Sequence, residues 1–189
     1  MSACGTSTSH SPPSPTTTPG QGVPASNAPA LLTTPPPWPA PTSAVSALVA
    51  EAGLPLLPQE GLVEHIHAHL DVFYDGQTVT VPAYIGIDER AQGISPLHTH
   101  DPSGIVHIES TVVKPFYLGQ FFTEWGVQTA NGCVAGQCPP ATPISVYING
   151  SRVQTPPDKV AITAHAEIVV VVGNPPASIP SSYTFPSGY

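Results

Sequence analysis

The chain between residues 63 and 172 alternates apolar and polar residues in short runs, the pattern of β-strands with one buried face. Two dipeptides, Asp75-Gly76 and Asn149-Gly150, join consecutive runs into hairpins, because both readily adopt the positive φ angles of tight turns. The last run is almost purely aliphatic, which predicts a central strand buried on both faces. The pattern predicts strands at 63–74, 77–81, 105–113, 144–148, 151–154 and 166–172.

Two other stretches follow the helical period. Residues 42–53 carry a one-sided apolar stripe, which Thr42 or Ser43 could cap and Gly53 could end. Residues 118–125 form a second short helix whose aromatic side chains face the core. The expected fold is therefore α+β and mainly β, with short helices.

The order of the predicted elements, ββ-α-ββ, resembles that of β-grasp domains, which include small sulfur-carrier proteins and soluble-ligand-binding modules. The resemblance depends on the hairpin at 63–81, the helix at 118–125, the hairpin at 144–154 and the strand Glu167-Ile-Val-Val-Val-Val. It implies a β-grasp-like domain.

The first 41 residues have a different composition from the rest of the chain. They contain no Asp, Glu, Lys or Arg and are rich in Pro, Ser and Thr. Such a segment cannot bury enough apolar surface to offset the entropy of ordering it. We expect residues 1–41 to form a disordered, extended stalk and residues 42–189 to form a single β-rich domain, with Trp38 as the first point of contact between them.

Charge narrows the classes of partner. The chain has 4 basic and 12 acidic residues and a net charge of −8, so it cannot present a basic surface to nucleic acid or to anionic lipid headgroups. Charged residues make up only 8% of the chain, which is typical of an exported or envelope protein rather than a cytosolic enzyme. The longest aliphatic run, at 168–172, is too short to span a bilayer.

The three cysteines indicate the compartment. Cys133 and Cys138 lie in a loop rich in Gly and Pro and would form a disulfide in an oxidising compartment, or remain free thiols in the cytosol. Met1-Ser2-Ala3-Cys4-Gly5 resembles the end of a bacterial lipobox, in which small residues precede a lipidated cysteine. That resemblance implies an extracytoplasmic protein anchored to a membrane through Cys4; the alternative is that this cysteine lies near the terminus by chance.

Six of the eight histidines fall in two short clusters. In the first cluster His65, His67 and His69 alternate with apolar residues, so they project from one face of the predicted strand. Alternate residues on a strand are roughly 6.6 Å apart, and residues four apart are roughly 13 Å apart. One metal ion with bonds of about 2.0–2.1 Å could therefore bind His65 with His67, or His67 with His69, but not all three.

The second cluster begins with His98 and His100, which we expect on a loop, and continues with His107 on the next strand. His107 and Glu109 share one face of that strand. These side chains could complete a site of three or four imidazoles, with Asp101 or Glu109 orienting them through hydrogen bonds. The alternative is a metal-free strand face whose imidazoles are solvated or hydrogen-bonded to carboxylates.

The donor set favours particular metals. Imidazole suits Zn(II) and Cu(II), and also Ni(II), whereas thiolate zinc and blue-copper sites need a cysteine that the clusters lack. Met1 is the only methionine, which argues against a Met-lined Cu(I) site. The predicted ligands of a Zn(II) or Cu(II) ion are His65, His67, His69, His98, His100 and His107.

The stretches His65-Ile-His-Ala-His-Leu-Asp-Val-Phe and Pro96-Leu-His-Thr-His-Asp, together with Leu118-Gly-Gln-Phe-Phe-Thr-Glu-Trp-Gly, resemble a family of uncharacterised bacterial envelope proteins. The resemblance covers most of residues 45–189. It implies secretion and a shared importance of the histidines, and it implies no reaction.

These patterns support one leading hypothesis and two alternatives. The leading hypothesis is a lipid-anchored extracytoplasmic protein that binds a transition metal for capture, delivery or sensing, in contact with a protein partner of the cell envelope. The sequence lacks the HExxH, GxSxG and Gly-rich phosphate-binding motifs. A metal-dependent enzyme with an open coordination position is the first alternative, and a metal-free interaction module with a pH-sensitive histidine face is the second.

Overall fold

A computed structural model describes Met1 and residues 29–189 of the chain. Cys4, the predicted lipidation site, and most of the predicted stalk lie outside the described residues. In chain order the elements are α1 (Val45–Glu51), β1 (Glu64–Tyr74), β2 (Gln77–Val79), β3 (Ile87–Asp88), β4 (Gly93–Ile94), β5 (Leu97–His98), β6 (Ile105–Ser110), β7 (Phe116–Tyr117), α2 (Leu118–Glu124), β8 (Thr129–Ala130), β9 (Cys133–Val134), β10 (Ile144–Ile148), β11 (Ser151–Val153), a 3-10 helix (Pro157–Lys159), β12 (Ala161–Ile162) and β13 (Glu167–Val172).

Seven strands form one mixed sheet in the order β11-β10-β13-β1-β6-β5, with β2 also paired to β1. The long strand β1 pairs antiparallel with β6 through residues 64–69 and with β2 through residues 72–74. On its other edge β1 runs parallel to β13. The predicted α+β, mainly β class is confirmed, and the order β2-β1-β13-β10-β11 is consistent with the expected β-grasp-like arrangement.

Both predicted hairpins form with their turns at the expected dipeptides. Asp75 and Gly76 have φ angles of 46° and 79°, and Asn149 and Gly150 have φ angles of 49° and 76°. Two positive φ angles in succession match the twist of the flanking strands. The other predicted elements also form, although the strand expected at 105–113 ends at Ser110. The cap expected from Thr42 or Ser43 is absent, because Ala44 occupies the cap position of α1 without a side-chain hydrogen bond.

Strand β1 separates the core from the histidines. Ala68 and Leu70 are buried in the main hydrophobic core and Ile66 packs against it, whereas the intervening histidines project from the opposite face. Helix α2 covers the core face of the sheet with aromatic side chains that are fully buried, namely Phe121, Phe122 and, directly after the helix, Trp125. The helix and the sheet therefore hold the histidine-bearing face of β1 in a fixed position.

Part of the segment assigned to the stalk packs against the domain. Trp38 is 2% exposed, and its ring lies edge-on to Trp125 with centroids 5.7 Å apart. The Trp125 indole N–H donates a hydrogen bond to the Trp38 carbonyl oxygen at 2.9 Å, and Leu32 pairs with Val127. The contact expected at Trp38 therefore exists, and the chain already lies on the core before residue 42.

Two further features bear on the predicted compartment. The predicted disulfide between Cys133 and Cys138 is present, and it closes a short loop that starts at Cys133, the first residue of β9. In the part of the chain that the structure describes, neither helix has the length and apolar character needed to cross a membrane.

Candidate metal centre

Three neighbouring strands bring three histidines into one row. In the antiparallel register of β1 and β6, His67 lies opposite His107, and in the register of β6 and β5, His107 lies opposite His98. Residues that face each other across antiparallel strands project from the same face of the sheet. Sequence analysis placed His98 on a loop, but it belongs to β5, and this edge strand completes the row.

His100 extends the row beyond β5. Its Nε2 atom lies 3.1 Å from Nε2 of His98, and its ring centroid lies 4.5 Å from that of His107. Two nitrogens bound to one ion at about 2.0–2.1 Å are roughly 2.9–3.4 Å apart at angles between square and tetrahedral. The separation of His98 and His100 fits two ligands of one ion, and it is also the length of the hydrogen bond that joins the two rings without one.

Two imidazoles of the row, those of His98 and His67, are held neutral by burial. The His98 ring is completely buried, and its Nδ1–H donates a hydrogen bond to the Ser95 carbonyl oxygen at 2.9 Å. Its Nε2 lone pair therefore points to His100 and accepts a hydrogen bond from Nε2–H of that residue at 3.1 Å, which a bound ion would replace. Burial, followed by the neighbouring His107, lowers the pKa of His98 to about 3. Burial, with His107 and His65, lowers the pKa of His67 to about 4. Neutral imidazoles are the form that binds a metal ion.

Glu109 places a carboxylate among the imidazoles. Its Oε1 atom lies 3.0 Å from Nδ1 of His107, 3.3 Å from Nε2 of His65 and 3.9 Å from Nε2 of His67. Burial by itself would raise the pKa of Glu109, but the His107 hydrogen bond and the surrounding imidazoles hold it well below its ordinary value. The ionised carboxylate can orient His107, as predicted, and it is also close enough to the other histidines to bind a metal directly.

The rim of the cluster is open to solvent. The side chains of His65 and His100 are 48% and 42% exposed, and Nε2 of His100 lies 3.4 Å from a Glu60 carboxylate oxygen. A cleft of about 360 Å³ opens over His65 and His67. The Tyr189 ring covers part of this cleft, with its centroid 4.7 Å from that of His67. An ion or a small ligand could therefore reach the cluster from this side.

His69 lies apart from the other five clustered histidines. Its Nδ1 contacts a Glu167 carboxylate oxygen at 2.8 Å, its Nε2 contacts the Ser103 carbonyl oxygen at 2.9 Å, and Tyr183 stacks on its ring. Two acceptors for one ring require both nitrogens to carry protons. Although burial opposes the charge, the hydrogen bond and negative charge of Glu167 raise the pKa of His69. This ring is therefore engaged as a cation in a buried ion pair.

Two acidic residues occupy positions that sequence analysis did not foresee. Asp71 lies half-buried on β1, where burial and the nearby Glu167 raise its pKa. Asp101 was predicted to orient a histidine. Its Oδ1 atom instead accepts a hydrogen bond from the Ser103 N–H at 2.8 Å, and among the described residues it pairs with no histidine.

A buried acid supports the cluster from the core side. Glu124, at the end of α2, is 0% exposed, and its carboxyl group is hydrogen-bonded to the Ser95 hydroxyl, while the Ser95 carbonyl oxygen accepts the His98 hydrogen bond. Burial raises the pKa of Glu124 well above its ordinary value, which favours the protonated carboxyl group. Its position three residues after Phe121, on the buried side of the helix, is the only sign of this role in the sequence.

Three groups of side chains have donor atoms close enough to hold an ion, with the atoms of each group within 4.8 Å of one another. The first two share Glu109, and the third is the ion-paired cluster around His69. The groups are His98, His100, His107 and Glu109; His65, His67 and Glu109; and His69, Asp71 and Glu167.

The chain was also compared with known proteins. No protein family, no curated protein and no solved structure matches it. The resemblance to envelope proteins noted above thus stays a prediction, and function has to be argued from the site itself.

Proposed function

We propose that this protein binds a transition metal ion, Zn(II) or Cu(II), through its clustered histidines and acts outside the cytoplasm in metal capture, delivery or sensing. The observation that carries the proposal is the pair His98 and His100. Their Nε2 atoms are 3.1 Å apart, and the buried member is neutral with its other nitrogen already engaged by Ser95. Backbone-anchored imidazoles of this kind are typical of metal ligands.

The chemistry of the donors favours these two metals. His98, His100 and His107 offer imidazole nitrogens, and Glu109 offers a carboxylate oxygen. The two cysteines of the domain are joined in a disulfide away from the cluster, so they supply no thiolate to it. A site of nitrogen and oxygen donors suits Zn(II) and Cu(II), the metals that the sequence indicates.

The proposed location depends on two features. A disulfide in a chain with few charged residues is typical of an oxidising compartment outside the cytoplasm. The lipobox-like sequence around Cys4 supports attachment through a lipid. Intact mass of the protein extracted from native membranes tests the anchor, and a mass without a lipid adduct on Cys4 would exclude it.

The test of metal binding compares variants of the untagged protein. Protein stripped with a chelator is incubated with Zn(II) or Cu(II), passed through a desalting column and analysed for metal by mass spectrometry. We expect the native chain to retain metal and His100→Ala and His107→Ala to lose most of it. His165→Asn is the matched control, because this histidine lies at the edge of the cleft against Phe185 but belongs to none of the ligand groups. Asn also tolerates its positive φ of 56°. Equal retention by all four proteins would contradict the proposal.

The cleft over His65 and His67 supports a second candidate, a metal-dependent enzyme. Catalytic sites keep one coordination position open to water or substrate, and this cleft would supply the access. Azide or cyanide added to the Cu(II)-loaded protein would shift its visible absorption if such a position exists. An unchanged spectrum would leave binding and delivery as the function.

A further inference from the structure

The proposed metal-binding function leaves open how many ions the cluster holds. We infer that it holds two ions side by side, with the Glu109 carboxylate bridging them. The inference rests on the proposed function and adds the stoichiometry and the bridging residue.

The donors divide into two groups on either side of Glu109. On one side are His98, His100 and His107, and on the other are His65 and His67. Two ligands of the same ion can be separated by no more than about 4.2 Å, twice the usual bond length of about 2.1 Å. In the described part of the chain, the donor atoms of each group lie within 4.8 Å of one another, near this limit, and no group combines all five imidazoles. One ion therefore cannot use all five imidazoles, and the geometry provides a place for two.

The two oxygens of Glu109 face different histidines, although His107 of the first group also contacts Oε1. Oε1 lies 3.3 Å from Nε2 of His65 and 3.9 Å from Nε2 of His67, whereas Oε2 lies 4.0 Å from Nε2 of His98. A carboxylate with one oxygen toward each of two ions is the usual bridge between metals that are about 3.5–4 Å apart. His107, hydrogen-bonded to Oε1, lies between the groups and fixes the orientation of the carboxylate.

The second observation is an unpaired oxygen. Glu109 is 3% exposed, yet its Oε2 atom has no hydrogen-bond partner among the described residues. A buried carboxylate oxygen without a partner costs roughly 1–3 kcal/mol or more. A cation bound to His98 and His100 would give this oxygen the partner that it lacks. Oε1 could then bind the second ion, on the side of His65 and His67.

Two divalent cations would outweigh the charge of one carboxylate. The excess positive charge would attract a hydroxide or another small anion, which can enter through the cleft over His65 and His67. We therefore expect a dinuclear centre to bind a small anion between or beside its two ions.

The test is a titration of the chelator-stripped full chain with Cu(II), followed by metal analysis and electron paramagnetic resonance. We expect two copper ions per chain and, at full loading, a spin signal much weaker than that of two isolated Cu(II) ions because of magnetic coupling across the bridge. His65→Ala should reduce the stoichiometry to about one ion and restore an ordinary isolated-ion signal. This variant is suitable because the His65 side chain is 48% exposed and its loss leaves the core intact. Glu109→Gln should retain copper and lose the coupling.

Each outcome separates this inference from the function on which it rests. One ion per native chain, or two ions with uncoupled signals, would overturn the dinuclear centre and leave metal binding in place. No retained copper would overturn both. His165→Asn should behave as the native chain does, which controls for a general loss of folding, and circular dichroism of each variant checks the fold directly.

Discussion

Lowering the pH of the metal-free protein should destabilise it through His98. Burial lowers the pKa of this imidazole from the ordinary 6.5 to about 3. The unfolded chain therefore takes up a proton on His98 near its ordinary pKa, whereas the folded chain remains unprotonated there until the pH is much lower. Because the unfolded state binds more protons between these two values, the free energy of unfolding decreases as the pH falls through this window.

The magnitude follows from the two pKa values. Between about pH 7 and about pH 5, protonation of His98 in the unfolded chain lowers the free energy of unfolding by about 2 kcal/mol, and proton uptake by the folded chain offsets almost none of it. Glu124 and His69 have raised pKa values and act in the opposite direction. The test therefore compares how much the free energy of unfolding changes with pH in the native chain and in a variant that lacks only the titratable group of His98.

His98→Asn is that variant, because an amide N–H can still donate to the Ser95 carbonyl oxygen and does not titrate in this range. Urea denaturation of both proteins, in the presence of a chelator, gives the free energy of unfolding at each pH. The native chain should lose about 2 kcal/mol more than the variant over this range. Equal losses in the two proteins would refute the reasoning that the fold holds this imidazole neutral.

Three further predictions concern stability. In urea denaturation, Gly86→Ala should lower the free energy of unfolding by about 3 kcal/mol and Gly53→Ala by about 1 kcal/mol. Both glycines have a positive φ, but of the two only Gly86 has neighbouring atoms that an added Cβ would meet, so similar losses would contradict this explanation. As the pH rises above the ordinary glutamate pKa, only the unfolded native chain ionises Glu124, so its free energy of unfolding should fall by about 1.4 kcal/mol per pH unit. Glu124→Gln should not show this decrease, and parallel pH profiles of the two proteins would exclude a buried neutral acid. Reduction of the Cys133–Cys138 disulfide should lower the free energy of unfolding by about 2 kcal/mol, as expected for a short loop, and an unchanged midpoint in denaturant would count against that contribution.

Local patterns predicted much of this fold because they depend on neighbours in the sequence. The alternation along β1 correctly placed Ala68 and Leu70 in the core and the histidines on the other face, since successive side chains on a strand point to opposite sides. The two hairpins formed where Asp-Gly and Asn-Gly allow positive φ angles. Short strands such as β5 were not predicted, because two residues carry no period that could be recognised.

The site was predictable in its residue types but less so in its grouping. Spacing showed that His65, His67 and His69 could not share one ion, and the structure separates His69 from the others. Its partner Glu167 lies 98 residues away, on a strand that pairs in parallel with β1, so no local pattern could reveal it. Local alternation did place Glu109 beside His107, but its position next to His65 and His67 depends on the register between β1 and β6.

The most direct test of metal binding by the histidines is X-ray absorption spectroscopy of the loaded chain at the zinc or copper edge. The account predicts a first shell of nitrogen and oxygen at about 2.0–2.1 Å, with the outer-shell scattering of at least two imidazoles per ion. That imidazole scattering should weaken in His100→Ala and stay unchanged in His165→Asn. A shell that contains sulfur, a shell without imidazole scattering, or a chain that retains no metal would contradict the account.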